Sequence, residues 1–220
     1  MGVQRGKAPL AGCRDRVPAG VWGKVPQSWR KVNMNIDKAE KAMREFLEAL
    51  DIDLKKHNME KTPKRVAKMY SELFKGVNKN TEDIWGETFT GGSFLVAVTN
   101  LPFYSICEHH LVPFFGDVDI VYLPRNGKIA GFSKFAKLVD ILSHRPQLQE
   151  NLTEEIADAV YKELDAKGAL VVVTAKQLCM TLAGESLLNS KTATSATKGE
   201  FTDNDALLKE AWRLINKEKV

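Results

Sequence analysis

Apolar positions change their period several times along the chain. From Asn35 they recur at three- and four-residue steps (Ile36, Ala39, Met43, Phe46, Leu47, Leu50), which predicts an amphipathic helix. A second helical stripe follows at Val66, Met69, Tyr70, Leu73 and Phe74. Thr62 is the expected N-cap, Pro63 fits the first helical position and Gly76 the stop. Aromatic and Met residues at this spacing are expected to be core. Past Gly91-Gly92 the pattern becomes extended: residues 94–106 and 116–123 read as strands, with Val118, Ile120 and Tyr122 on one face. Gly127 marks a turn. Helical period returns at about 133–143, burying Phe135, Leu138, Val139 and Leu142, and at 151–165, burying Leu152, Ile156, Ala159 and Val160. Residues 169–175 form a β-branched strand that leads to Cys179, residues 192–201 an edge strand, and the chain from Asp205 a terminal helix. No internal repeat is visible.

Residues 1–34 have no apolar period and are rich in Gly, Pro and Arg, so they are expected to be a disordered basic extension ahead of a domain spanning 35–220. A basic tail, a targeting segment, or sequence upstream of a start at Met34 are all compatible with that composition. The extension holds seven Lys/Arg against one acid, +6, so the body is −2 although the whole chain is +4. A nearly neutral body does not suit a nucleic-acid partner. No apolar run reaches the ~18 residues of a membrane span, and the N-terminal segment has no apolar signal region. Three widely spaced cysteines argue against a disulfide framework and for a reducing, cytoplasmic location.

The chemistry concentrates in Cys107-Glu108-His109-His110, directly after the apolar run 101–106. A thiolate and an imidazole three residues apart can share one Zn²⁺, and Cys179 is a candidate third ligand. Three protein ligands leave a position open for water, which is the pattern of a catalytic site. The bland alternative is a pair of buried apolar cysteines. Cys13 lies in the extension and is not expected to be a ligand. His57 reads as a surface residue and His144 as the end of a helix.

Several further motifs stand in order: Lys61-Thr62-Pro63-Lys64-Arg65-Val66-Ala67, Val112-Pro113-Phe114, Gly131-Phe132-Ser133-Lys134, residues 145–150, Cys179-Met180, and Asn189-Ser190-Lys191-Thr192. With Cys107-Glu108-His109-His110 they resemble the GTP cyclohydrolase I family over most of 36–215. The resemblance implies an α+β tunnelling fold: a four-stranded antiparallel sheet with two helices, preceded by N-terminal helices. It implies a homodecamer with sites between subunits, and a guanine nucleotide as substrate. The implied reaction opens the imidazole ring of GTP, releases formate, and yields 7,8-dihydroneopterin triphosphate, a pterin or deazapurine precursor. By position, Cys107, His110 and Cys179 resemble the zinc ligands, and His109 the acid/base beside the metal. Glu150 resembles the carboxylate on the guanine edge, and Gln149 a group positioning base or ribose. Ser133, Lys134 and Lys137 resemble the contacts to ribose and phosphate.

The chain departs from that pattern. Gln177 occupies the place of a second catalytic histidine, and an amide carries no proton near neutral pH. Ala183 and Lys137 replace arginines at the phosphate end, and Asn151 replaces another; lysine lacks the guanidinium fork. Two alternatives therefore stand beside the full reaction. One is a divergent cyclohydrolase that acts on another guanine nucleotide or stops at a ring-opened product. The other is a non-catalytic zinc-binding partner subunit.

Overall fold

The structure, a computed structural model, describes residues 34–182 and 190–217. The readings made of residues 1–33, Ala183 and Asn189 lie outside them.

Two helices open the described chain, α1 (Ile36–Ala49) and α2 (Thr62–Leu73). The Asn35 side chain caps α1 by accepting the Lys38 N–H at 2.9 Å. In α2 the cap is Lys61, one residue earlier than the sequence signals suggest, and it makes no side-chain cap bond. Thr62 is therefore helical, and Pro63 sits in the first turn, where its missing N–H has no helical partner to lose. The helices pack on each other, yet α1 buries no residue and α2 only Pro63 and Ala67. The second stripe is thus not core as expected: Met69 is 51% exposed, and Phe46 and Leu50 of α1 are 56% and 57% exposed. The stripes are apolar, but the described chain supplies no layer to cover them.

The elements that follow are β1 (Phe89–Thr90), β2 (Val96–Cys107), β3 (Pro113–Leu123), β4 (Lys128–Ile129), α3 (Phe132–Ser143), β5 (Pro146–Gln147) and α4 (Gln149–Asp158). Then come β6 (Gly168–Gln177), α5 (Leu178–Leu182), β7 (Thr192–Gly199), α6 (Glu200–Asp203) and α7 (Asp205–Lys217). β1 and β4 pair in a small ladder closed at Gly127, whose φ is +69°; a Cβ there would lie 2.3 Å from the Gly91 carbonyl oxygen. The main sheet runs β5-β2-β3-β6-β7. Its four long strands are antiparallel, as expected, and the two-residue β5 adds a parallel edge beside Ile106 and Cys107.

One face of the sheet presents Val118, Ile120 and Tyr122, all fully buried, to Phe135 and Leu138 of α3 and Leu152 and Ile156 of α4. Burying each such side chain stabilises by about 1.5–3 kcal/mol. The opposite face carries a second core, Val121, Leu170 and Val172, covered by Phe201, Ala211 and Ile215 of α6 and α7. The helix expected at 151–165 is α4 from Gln149 to Asp158, continued by a π-helical turn over Ala159–Glu163. Among the described residues no helix is long and apolar enough to cross a membrane.

Candidate metal centre

The centre forms where the β2–β3 hairpin meets the end of β6. Cys107 is the last residue of β2 and is buried. Its N–H donates to the Val112 carbonyl at 2.9 Å, and its carbonyl accepts the Leu111 N–H at 2.9 Å. These two bonds close the turn that carries His109 and His110. Leu111 takes φ +54°, the left-handed conformation that reverses the chain. Two outside bonds brace the turn: the Glu108 N–H donates to the Gln147 carbonyl at 3.1 Å, and the Tyr70 hydroxyl donates to the Leu111 carbonyl at 2.8 Å.

β6 reaches the same end of the sheet because its register sets Gln177 opposite Phe114. Two residues on, Cys179 lies in α5. The ligand atoms of Cys107, His110 and Cys179 all fall within 4.8 Å of one another. Two thiolates on a tetrahedral zinc, each at ~2.3 Å, stand about 3.8 Å apart, so this set fits the ion. Burial pushes the Cys179 thiol pKa up, and Cys107 beside it pushes it further. Two thiolates so placed need a cation between them to stay ionised.

His109 is exposed, and its ring centre is 6.2 Å from that of His110, nearly perpendicular to it at 86°. It stands outside the ligand set. The Gln177 amide donates through Nε2 to Gln149 Oε1 at 2.7 Å, and its Oε1 lies 3.9 Å from Cys179 Sγ. Gln149 opens α4 with its side chain buried, while Glu150, next in the same turn, is exposed.

Ser133, Lys134 and Lys137 occupy the first turns of α3, Ser133 and Lys137 exposed and Lys134 half-buried. Lys137 lines a cavity of about 370 Å³ with Lys79, Asn80, Asp83 and Asp140, a wall that includes none of the three candidate ligands. His144 ends α3 as expected, buried, with Nδ1 2.7 Å from the Asp140 carbonyl oxygen. Arg145 is structural: it donates to the carbonyls of Gly76 at 3.1 Å and Lys79 at 3.0 Å. Sequence reasoning missed Tyr70, which it assigned to an apolar stripe. The available signal was the hydroxyl itself, which seeks a partner wherever a tyrosine is half-buried.

A four-strand antiparallel sheet backed by two helices, with a Cys-His-Cys donor set where one hairpin meets the end of β6, defines an α+β tunnelling-fold protein with a site able to hold a metal. Comparison with known proteins makes this specific. The family model of GTP cyclohydrolase I matches residues 39–216. A GTP cyclohydrolase 1 from Brevibacillus brevis is 43% identical over 185 residues, 84% of this chain and 99% of that protein. One from Desulforamulus reducens is 44% identical over 184 residues, 83% and 98% of the two chains. One from Streptococcus pyogenes is 43% identical over 190 residues, 86% and 98%. The chain belongs to the GTP cyclohydrolase I family.

Proposed function

We propose that the protein hydrolyses GTP at the imidazole ring of its guanine, releasing formate and giving 7,8-dihydroneopterin triphosphate, with one water consumed overall. The reading rests on the Cys107, His110 and Cys179 cluster, with ligand atoms within 4.8 Å, beside a histidine that is not a ligand. When bound, zinc supplies a Lewis acid and lowers the pKa of a water towards ~7. Cys107 and Cys179 hold it as thiolates and His110 as neutral imidazole. His109 moves protons at the purine ring nitrogens, because an imidazole exchanges a proton near neutral pH. Glu150 accepts the paired N–H groups of the guanine edge. Ser133, Lys134 and Lys137 bind ribose and phosphate, the lysines as point charges.

The family resemblance implies a homodecamer with sites completed between subunits. The exposed apolar stripes of α1 and α2 support such an assembly. Free thiols suit a cytoplasmic location. The test is to incubate zinc-loaded protein with GTP, GDP, GMP and guanosine, then measure formate and the fluorescent pterin formed on oxidation. Formate and pterin from GTP support the reading; no formate from any of the four overturns it.

Gln177 favours a second reading, in which ring opening outpaces the later steps. Its N–H is held by Gln149, and an amide cannot relay a proton at neutral pH. A ring-opened product without pterin in the same assay distinguishes this outcome.

A further inference from the structure

Gln149 is the first residue of α4, yet its side chain is turned into the sheet and is 4% exposed. Its Nε2 donates to the Val173 carbonyl at 3.0 Å and lies 3.2 Å from both the Thr192 carbonyl oxygen and Thr194 Oγ1. Backbone carbonyls only accept, so the nitrogen must be the end of the amide that faces them. Oε1 then faces the other way, where it accepts Gln177 Nε2 at 2.7 Å and the Thr192 hydroxyl at 2.5 Å. Because that oxygen can only accept, Gln177 must turn its own nitrogen towards it. What remains is Gln177 Oε1, 3.9 Å from Cys179 Sγ. The two amides are thus oriented in series, starting from fixed carbonyls of β6 and β7.

Both ends of the Gln149 amide are engaged within the protein, and the side chain is buried. We infer that Gln149 is a positioning residue: it fixes the Gln177 amide so that an acceptor oxygen, not an N–H donor, faces Cys179. Such an acceptor holds a water or a substrate N–H. It also withholds from Cys179 the N–H that would otherwise stabilise a thiolate. The inference shares the proposed reaction only in its turnover readout; the amide orientation is read independently.

The test uses the full chain carrying Gln149→Met, Gln149→Glu, Gln177→Leu, or Gln149→Met with Gln177→Leu, each loaded with cobalt(II) for spectra and zinc for turnover. In Gln149→Met the Gln177 amide is free to turn, so the sulfur-to-cobalt charge-transfer absorption shifts as an N–H reaches Cys179. Formate release from GTP falls about 10–100-fold, as for other groups that orient metal ligands and their neighbours. Gln149→Glu, a buried neutral acid with one O–H and one C=O in the same places, restores the native spectrum. In the Gln177→Leu background, Gln149→Met changes neither spectrum nor formate release further, although it still lowers Tm. Gln149→Leu is read in the same way should Gln149→Met not fold. A native cobalt spectrum in Gln149→Met, or in Gln149→Leu where that variant replaces it, overturns the inference, as does an undiminished effect on turnover in the Gln177→Leu background. If the native protein releases no formate, the proposed reaction falls while the cobalt spectra still decide the orientation of Gln177.

Discussion

The Tyr70 hydroxyl is bonded to the Leu111 carbonyl at 2.8 Å, and this ties the N-terminal helix pair to the turn that bears His110. Leu111 sits at φ +54°, a conformation that costs a leucine roughly 1–2 kcal/mol and needs outside support. Tyr70→Phe should fold and lose about 1 kcal/mol of stability. Its larger effect should be on the metal, with zinc affinity falling about tenfold or more in competition with a chromophoric chelator. Unchanged affinity would show that the turn holds His110 without α2.

The sheet and its two covering helices were legible because period reports which face is buried. Val118, Ile120 and Tyr122 alternate in sequence and are all fully buried in the structure. Period does not report what covers a face, and that is why Met69 was misassigned: its stripe is apolar but meets no layer of the described chain. Cys107 and His110 were legible from local spacing, whereas the resemblance was needed to make Cys179 more than a candidate. The bracing of the site was not legible at all. Tyr70 lies 41 residues from Leu111, and Gln149 lies 24, 43 and 45 residues from Val173, Thr192 and Thr194. Such bonds depend on how distant elements pack, which no single segment encodes.

Zinc content provides a direct check on the ligand set. The native chain should carry about one zinc, and Cys179→Ser should lose most of it, because a serine hydroxyl stays protonated where a thiol ionises. Metal analysis after gel filtration gives the answer. Undiminished zinc in Cys179→Ser would remove that residue from the set.

Assembly follows from exposed apolar surface. Phe46, Leu50 and Met69 are each more than half exposed, as are Phe132 at 67% and Leu182 at 71%. Light scattering at micromolar concentration should give a mass many times the 24.6 kDa of one chain. A species of 24.6 kDa would contradict both the assembly and a site completed between subunits.

Deleting residues 1–33 should leave folding and turnover unchanged, since the segment is rich in charge and has no apolar period. Thermal unfolding of the truncated chain is the measurement. A cooperative drop in Tm would show that the extension packs on the body.

Gln177→His should speed the chemistry. A histidine at this position inherits Gln149 Oε1, which receives Gln177 Nε2 at 2.7 Å. One ring N–H would be donated there, fixing the tautomer and leaving the other nitrogen free to take a proton near Cys179. General acid–base help is worth about 10²–10⁴-fold, so pterin formation from GTP should rise by about 10²-fold, and formate release with it if proton transfer limits both. Adding Ala183→Arg should lower KM for GTP more than kcat, because a guanidinium grips phosphate. The two changes act on different steps and should combine nearly additively. If native protein already forms the pterin as fast as Gln177→His does, another group carries that proton, and the reading in which Gln177 stalls the later steps is excluded.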